Sequence, residues 1–485
     1  MAGDLEGIRS HLDHLQWLGI DVVWLTPFYP SPLADFGYDV ADYCDVNPLF
    51  GSLADFDRLL EDLHRRGMRM IVDWVPNHSS DRHPWFAEAR SSRSSPRRDW
   101  YVWRDGTPDR PPNNWRAAFT GGPAWTWDEG TGQWYLHLFL PQQPDLNWAN
   151  PEVEEAMSGV VRFWLDRGVD GFRIDVVHGL GKDPALPDAP ADRADIPWAS
   201  QNDDQRTHAI LRRLRQLVDS YPGGRFLVGE VYLLSTARVA RYYGAGDELH
   251  LAFNFPPLYA PWEAEAWRTR IRRVQEELGP LGAWPTWVLS NHDNPRHRTR
   301  YGSEARARAA AVLLLTLEGT PFLYAGEELG LEDAVVPADR RVDPGGRDGC
   351  RAPLPWDAGP DHGWAVPLGA ELWLPWPPEP ERRNPAAMAE DPGSILHLYR
   401  RMLQLRRGSP ALRRGGLELL DAPEGVLAYR RRADGDERLV VVNFTDSPVG
   451  VELGRGLAVQ LDSSDPARAG GFDGRLAASA AVVVG

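Results

Sequence analysis

The chain has 485 residues, 42% of them hydrophobic, which allows a large core and sets two or three domains as the starting expectation. A formal net charge of −16 has the wrong sign for a polyphosphate partner and counts against nucleic acid. The two cysteines, Cys44 and Cys350, supply neither a disulfide framework nor a metal-ligand pair. With no run of about 18 apolar residues and no basic-then-apolar leader, the chain reads as cytoplasmic with no membrane partner.

Taken in chain order, β-rich runs alternate with amphipathic helical stretches. "DVVWLTP" comes first, then the helix-like "LADFDRLLEDLHRRG" and the run "RMIVDWV". "VEEAMSGVVRFWLDR" precedes "GVDGFRID", and "THAILRRLRQLVDS" precedes "RFLVGE". "HLAFNFP", "TWVLSNHD" and "PFLYAGEE" follow. Repeated strand–helix units predict a parallel sheet, closed or open. Two Trp/Pro/Arg-rich stretches interrupt the alternation, one from Ser79 to Trp148 and one from Leu331 to Pro392. The first reads as a small insert. Loops as long as the second are usually functional. After Arg414, "LELLDA", "VLAYRRR", "RLVVVNFT" and "AAVVVG" predict a separate antiparallel β domain. Arg400, Arg401, Arg406 and Arg407, on the last helix, read as a solvated or interdomain face. Lys182 is the only lysine, which reads as a compositional habit.

The informative feature is where the strands stop. "RMIVDWVPNHSS" delivers Asp73, Asn77 and His78. "GVDGFRIDVVH" delivers Arg173, Asp175 and His178. "RFLVGEVY" delivers Glu230, and "TWVLSNHD" delivers His292 and Asp293. Parallel strands of a β/α barrel end at one rim, so these groups would converge on one cleft. Each alone has a bland reading, as a helix cap or a first exposed residue. Three acids at three strand ends, one with an arginine two residues before it, are hard to explain by packing, because buried carboxylates are rarely kept unless paired or used. The set suits glycoside hydrolysis, in which one carboxylate attacks the anomeric carbon and a second carboxyl protonates the departing oxygen. The 21 tryptophans offer flat faces that stack on sugar rings as readily as they fill cores. Metal-dependent hydrolysis fits less well, because no histidine pair of the H-E-x-x-H kind accompanies the carboxylates.

At this point the sequence resembles the α-amylase superfamily, glycoside hydrolase family 13. "DWVPNHSS", "GFRIDVVH", "FLVGEVY" and "SNHD" are similar to its four signature regions, in order, and "GIDVVWLTPFYPSP" and "GTPFLYAGEELGL" to secondary ones. "QPDLNW" is similar to the oligo-1,6-glucosidase and α-glucosidase branch, which also includes trehalose synthases. The resemblance implies a (β/α)8 TIM-type barrel from 1–78 and 149–408, an inserted domain B at 79–148 and a C-terminal antiparallel β-sandwich at 409–485. It implies Asp175 as nucleophile, Glu230 as general acid/base and Asp293 as the third acid. Arg173 would orient the nucleophile, Tyr38 would lie under the sugar, and His78 and His292 would bind its hydroxyls. Asp73, Asn77, Gln143 and Asp145 would support the site. Asp39 and Arg300 would pair and close the pocket behind one glucose, giving exo-action. Val176, next to the nucleophile, accompanies α-1,6 linkages in the branch, yet linkage stays open. His178 is expected on the aglycone side, and the loop Gly345–Asp357 as a wall of the entrance.

The implied activity is a retaining exo-α-glucosidase acting on short oligosaccharides. A trehalose synthase-like transferase or isomerase, or a truncated non-catalytic member, is the alternative. Relatives begin with a strand and an ion-binding loop ahead of "GDLEGIRSHLDHLQWLG". Here only Asp4 matches a ligand of that loop, so no cofactor or metal is expected. The first barrel strand is missing, and the expectation is a natural chain with a longer N-terminus.

Overall fold

The computed structural model describes residues 3–190, 203–364, 372–454 and 456–485. Residues 191–202, inside the expected barrel, and 365–371, inside the expected long loop, lie outside the described residues.

Five parallel strands lie side by side in chain order: Val22–Leu25, Arg69–Trp74, Gly171–Ile174, Phe226–Gly229 and Leu251–Ala252. Thr286–Val288 and Thr320–Phe322 form a second parallel pair. Thr286 Oγ1 donates to the Ala252 carbonyl at 2.7 Å, joining the two sheets. The two-residue alternation of a strand sorts the side chains. Trp24, Ile71, Phe226, Val228, Leu251, Phe253, Val288 and Phe322 meet in one cluster between the sheets. Met70, Val72, Trp74, Phe172, Ile174 and Leu227 point the other way, into the core shared with helices Leu53–Arg65, Pro151–Asp166 and Gln205–Asp219. Each such buried side chain contributes about 1.5–3 kcal/mol. Gly171 sits where no side chain fits, since a Cβ there would lie 2.0 Å from the Phe226 carbonyl oxygen.

The helices start where their caps dictate. Ser52 and Asp55 form a reciprocal capping box, Asn150 precedes a proline at the first helical position, and Asp204 accepts from the Arg206 amide. Asp4, the residue matched to an ion-binding loop, caps helix Leu5–Ser10 instead, its Oδ1 accepting from the Gly7 amide at 2.6 Å. Among the described residues no strand lies outside Val22–Leu25 or Thr320–Phe322, and both edges are partly open.

Between the second and third strands, helix Pro84–Ser91 leads into a three-stranded antiparallel sheet. Gln133–Leu136 is its centre, flanked by Trp103–Asp105 and Trp125–Asp128. A bridge from His78 to Asp145 fastens this insert over the strand ends.

The C-terminal part is an antiparallel sheet of Gly416–Leu420, Val426–Ala433, Asp436–Asn443, Ala481–Val484 and Val459–Asp462, in that spatial order. One face, with Tyr429, Val440, Val442 and Val483, packs on helices Glu304–Thr316 and Ile395–Gly408. The other, with Ala428, Val441, Val482 and Val484, packs with Val451 and with Leu476 from a second small sheet. The strands Val449–Gly450 and Arg475–Leu476 of that small sheet are two residues each, too short to leave a pattern in the sequence. Of the arginines expected on a solvated or interdomain face, Arg407 is exposed, Arg401 donates to the Pro466 carbonyl of the C-terminal part at 3.4 Å, and Arg406 is half-buried and donates to the Leu315 carbonyl at 2.8 Å.

Candidate active site

The strand register builds the polar centre. Asp73 and Arg173 are paired positions on neighbouring strands, both on the inner face. Arg173 is buried and donates from Nη1 to Asp73 and to Asp175, both at 2.6 Å, while its Nη2 lies 2.8 Å from Glu230 Oε2. Three carboxylates therefore share one guanidinium. Asp73 is further held by Trp24 Nε1 at 3.0 Å and Tyr38 Oη at 3.3 Å. Burial pushes Asp73 up to about 6, against the pull of Arg173. Burial also pushes Asp175 upward, Arg173 opposes it, and the charges of Glu230 and Asp73 add to the rise. One guanidinium thus faces three carboxylates, and burial favours the protonated forms of Asp73 and Asp175 against its pull.

The chain turns sharply after Asp175. Val176 has φ +44° and ψ +39°, a left-handed conformation that is rare and costly for a β-branched residue. The turn aims the Val176 amide at Glu230 Oε2, 3.0 Å away. Backbone strain thus orients one carboxylate against the other.

Asp293 stands across the cavity. It accepts from Arg347 at 2.9 Å and Arg351 at 3.2 Å, and its other oxygen lies 3.2 Å from His292 Nε2. Burial works against its charge, but the Arg347 and Arg351 guanidiniums override it and hold the carboxyl below the usual range. His292 stacks on Tyr38, with ring centroids 5.5 Å apart and planes 5° from parallel, and Tyr38 Oη lies 2.8 Å from its Nε2. Burial pushes His292 down to about 3 and His78 to about 3, so both rings are neutral.

These groups surround a cavity of about 680 Å³. Of the residues expected in the site, Tyr38, His78, Asp175, Glu230, His292 and Asp293 line it, with Val176 and His178 beside them. Asp73, Asn77, Arg173, Gln143 and Asp145 lie behind that surface, each hydrogen-bonded to others of the set. Gly345 and Arg347 wall one side, as expected of their loop. Cys350, in the same loop, is an enclosed thiol pushed up to about 12 by burial.

The expected Asp39–Arg300 pair does not form. Asp39 is buried, and its carboxylate accepts from Ser31 Oγ at 2.8 Å and from the amides of Ala34 at 2.9 Å and Asp35 at 3.0 Å. It shapes the loop. Arg300 donates to the carbonyls of Leu258 at 2.8 Å and Pro295 at 3.0 Å, and to that of Leu289. It staples backbone segments together and does not line the cavity. The ion pair at the cavity wall is instead Asp35 with Arg347, at 2.6 Å. Arg347 thereby links Asp35 to Asp293, and burial holds Asp35 up at about 6 against that pull. Sequence reasoning missed Asp35, Arg347 and Arg351. It also missed Lys182, whose Nζ lies buried 2.9 Å from Asp145. A lone lysine in a chain that otherwise uses arginine was a usable signal.

Comparison with known proteins fits this geometry. The model of the alpha amylase catalytic domain matches residues 1–415. The chain belongs to the alpha-amylase family. A domain of unknown function, DUF3459, matches residues 413–483, the C-terminal sheet region. The oligo-1,6-glucosidase of Parageobacillus thermoglucosidasius is 35% identical over 92% of this chain and 86% of its own length. An alpha-glucosidase of Pediococcus pentosaceus is 38% identical over 88% and 84%. Among solved structures, the alpha-glucosyl transfer enzyme XgtA superposes with a TM-score of 0.90 at 40% identity, covering 99% of this chain and 94% of that one. The trehalulose synthase MutB from Pseudomonas mesoacidophila MX-45 gives 0.90 at 33%, over 99% and 94%. As a member of this family in its α-glucosidase branch, the alpha-amylase-type chain is a glycoside hydrolase enzyme.

Proposed function

We propose that this cavity releases terminal α-linked glucose from short oligosaccharides with retention of configuration. Asp175 attacks C1 of the bound glucose, the glycosidic bond breaks, and its electron pair leaves with the aglycone oxygen, which takes a proton from Glu230. Water then attacks C1 of the glucosyl–Asp175 ester and gives its proton to Glu230, and Asp175 departs as carboxylate. Asp293 stays ionised and supplies fixed negative charge to the oxocarbenium-like transition state. Tyr38, His78 and His292 hold the sugar, and Arg173 keeps Asp175 aimed. This chemistry calls for no metal or cofactor.

The observation that carries the reading is that Asp175 and Glu230 share one guanidinium and line one cavity, whose wall also carries the Asp35–Arg347 pair. We read that pair as the closed end of the pocket, with room for one glucose unit, which favours exo-action. We read the seven parallel strands as strands of a (β/α)8 barrel with 79–148 as its inserted domain. Among the described residues no helix is long and apolar enough to cross a membrane, and we propose a cytoplasmic enzyme.

Transfer of the same glucosyl unit to a second sugar is the other reading. It draws on the likeness to XgtA and to MutB, which has been solved with sucrose, isomaltulose and glucose. Incubation with maltose, isomaltose, sucrose and starch separates the two. Hydrolysis gives free glucose from the short substrates, first seen as the α-anomer by proton NMR, with little from starch. A new disaccharide as main product, or β-glucose first, overturns the proposal. Asp175→Asn is expected to lower kcat by about 10⁴-fold or more.

A further inference from the structure

Lys182 ends the turn that follows Asp175, and its ammonium is buried with every proton directed. It lies 2.9 Å from Asp145 Oδ2, 3.1 Å from Asn77 Oδ1 and 2.8 Å from the Gly179 carbonyl. An ammonium has three donors and no acceptor. The Asn77 oxygen must therefore face Lys182, and its amide nitrogen must face the other way. That nitrogen lies 3.2 Å from His78 Nδ1 and 3.3 Å from Asp145 Oδ2. A donor facing His78 Nδ1 requires Nδ1 to be bare, so the ring proton sits on Nε2.

The far side of the ring agrees. His78 Nε2 lies 3.2 Å from the Tyr38 carbonyl, which can only accept. One group argues the other way: the Gln143 amide nitrogen is 3.1 Å from Nε2. The Gln143 oxygen accepts from the Leu140 amide at 3.1 Å, and its nitrogen donates to Asp35 at 3.0 Å, so that amide cannot turn over. Two fixed amides thus compete for opposite tautomers of one buried neutral histidine, and the cavity lies at its edge.

We propose that Lys182 decides this competition. It is a positioning residue that locks the Asn77 amide and, through it, the Nε2–H tautomer of His78, so that the one ring N–H, directed at the Tyr38 carbonyl, is shared with an oxygen of the bound glucose. The last clause rests on the glucosidase reading, while the tautomer itself does not. The same ammonium also pins the insert, through Asp145, to the turn carrying the nucleophile.

The test uses the full chain labelled with ¹⁵N-histidine. Long-range proton–nitrogen spectra are recorded with and without D-glucose, and His78 is assigned from a His78→Gln variant. The wild type is expected to show His78 with the pyrrole-type nitrogen at Nε2. Lys182→Met is expected to give a mixture or the Nδ1–H form and to raise KM for 4-nitrophenyl α-glucoside about tenfold, the loss of one hydrogen bond, with a smaller change in kcat. Lys182→Arg, which can still donate to Asn77, is expected to restore the tautomer. Nδ1–H in the wild type, or an unchanged tautomer in Lys182→Met, overturns the proposal. If Lys182→Met does not fold, the wild-type spectrum and Lys182→Arg still decide it. If no glycoside is hydrolysed, the tautomer result stands and the glucosidase reading alone falls.

Discussion

Asp35 and Arg347 lie 312 residues apart in the chain and meet at 2.6 Å. Removing Arg347 leaves the buried Asp35 carboxylate without its ion-pair partner, and removing the Asp35 charge frees Arg347 from this part of the cavity wall to its other partners, Asp293 and Asp343. Asp35→Asn is therefore expected to raise KM for maltose and isomaltose by roughly 10- to 100-fold, about 1.4–2.8 kcal/mol, and to admit longer chains that the wild type rejects. Steady-state kinetics on maltose against maltoheptaose checks this, and unchanged chain-length preference would count against a closed end. The pair also shows why site residues were only partly legible. The strand-end acids announce themselves because an apolar run stopping at Asp175, Glu230 or Asp293 breaks the hydrophobic pattern. In "ADFGYDVADY", by contrast, three aspartates sit in one loop. Which of them faces the cavity depends on loop geometry, with Leu33 and Phe36 at positive φ and Asp39 collecting the amides. Local sequence does not encode that choice. It encodes the partner even less, since Arg296, Arg298 and Arg300 all stand nearer the motif than Arg347.

The turn at Gly326–Gly330 shows the same economy at the scale of an element. Glu327 is buried there, accepting from Tyr399 Oη at 3.0 Å and from the Tyr324 amide at 3.3 Å, and so ties the turn after the last strand to helix Ile395–Gly408. Burial raises its carboxyl to about 8, with Tyr399 and the Tyr324 amide pulling the other way. A carboxyl whose folded value is raised contributes stability that is fully present below its unfolded value of 4.5 and is lost as pH rises through 8. Thermal unfolding should show a falling Tm between pH 5 and pH 9, and Glu327→Gln should flatten that fall, gaining on the order of 2–5 °C at pH 9. Parallel titration curves for the two proteins would contradict this. Elements themselves were largely readable. Helix Leu53–Arg65 declares its cap and its apolar face, and the strands before the acids declare their length. The two-residue strands were not readable, because a pattern of period two needs more than two residues.

At the scale of the whole molecule, the C-terminal sheet is part of the catalytic unit's core. Tyr429, Val440, Val442 and Val483 share one apolar cluster with the helices Glu304–Thr316 and Ile395–Gly408. Arg431, fully buried at that junction, donates to the Gly415 carbonyl at 2.7 Å and to that of Thr316. A chain ending at Arg414 would expose this face and is expected to aggregate without a cooperative transition, as soluble yield and calorimetry would reveal. A soluble, cooperatively melting product would show that the helices stand without the sheet. The sheet that a change of strand pattern after Arg414 sets apart in the sequence is matched by a domain model of its own, and it packs one face on these helices while the other forms a cluster of its own. The single buried lysine has a last practical consequence. With its ε-amine enclosed beside Asp145 and arginine carrying the rest of the positive charge, the lysine is expected to resist amine-directed reagents while the chain is folded and to react once it unfolds, so that acylation of Lys182 reports opening of the turn behind the nucleophile.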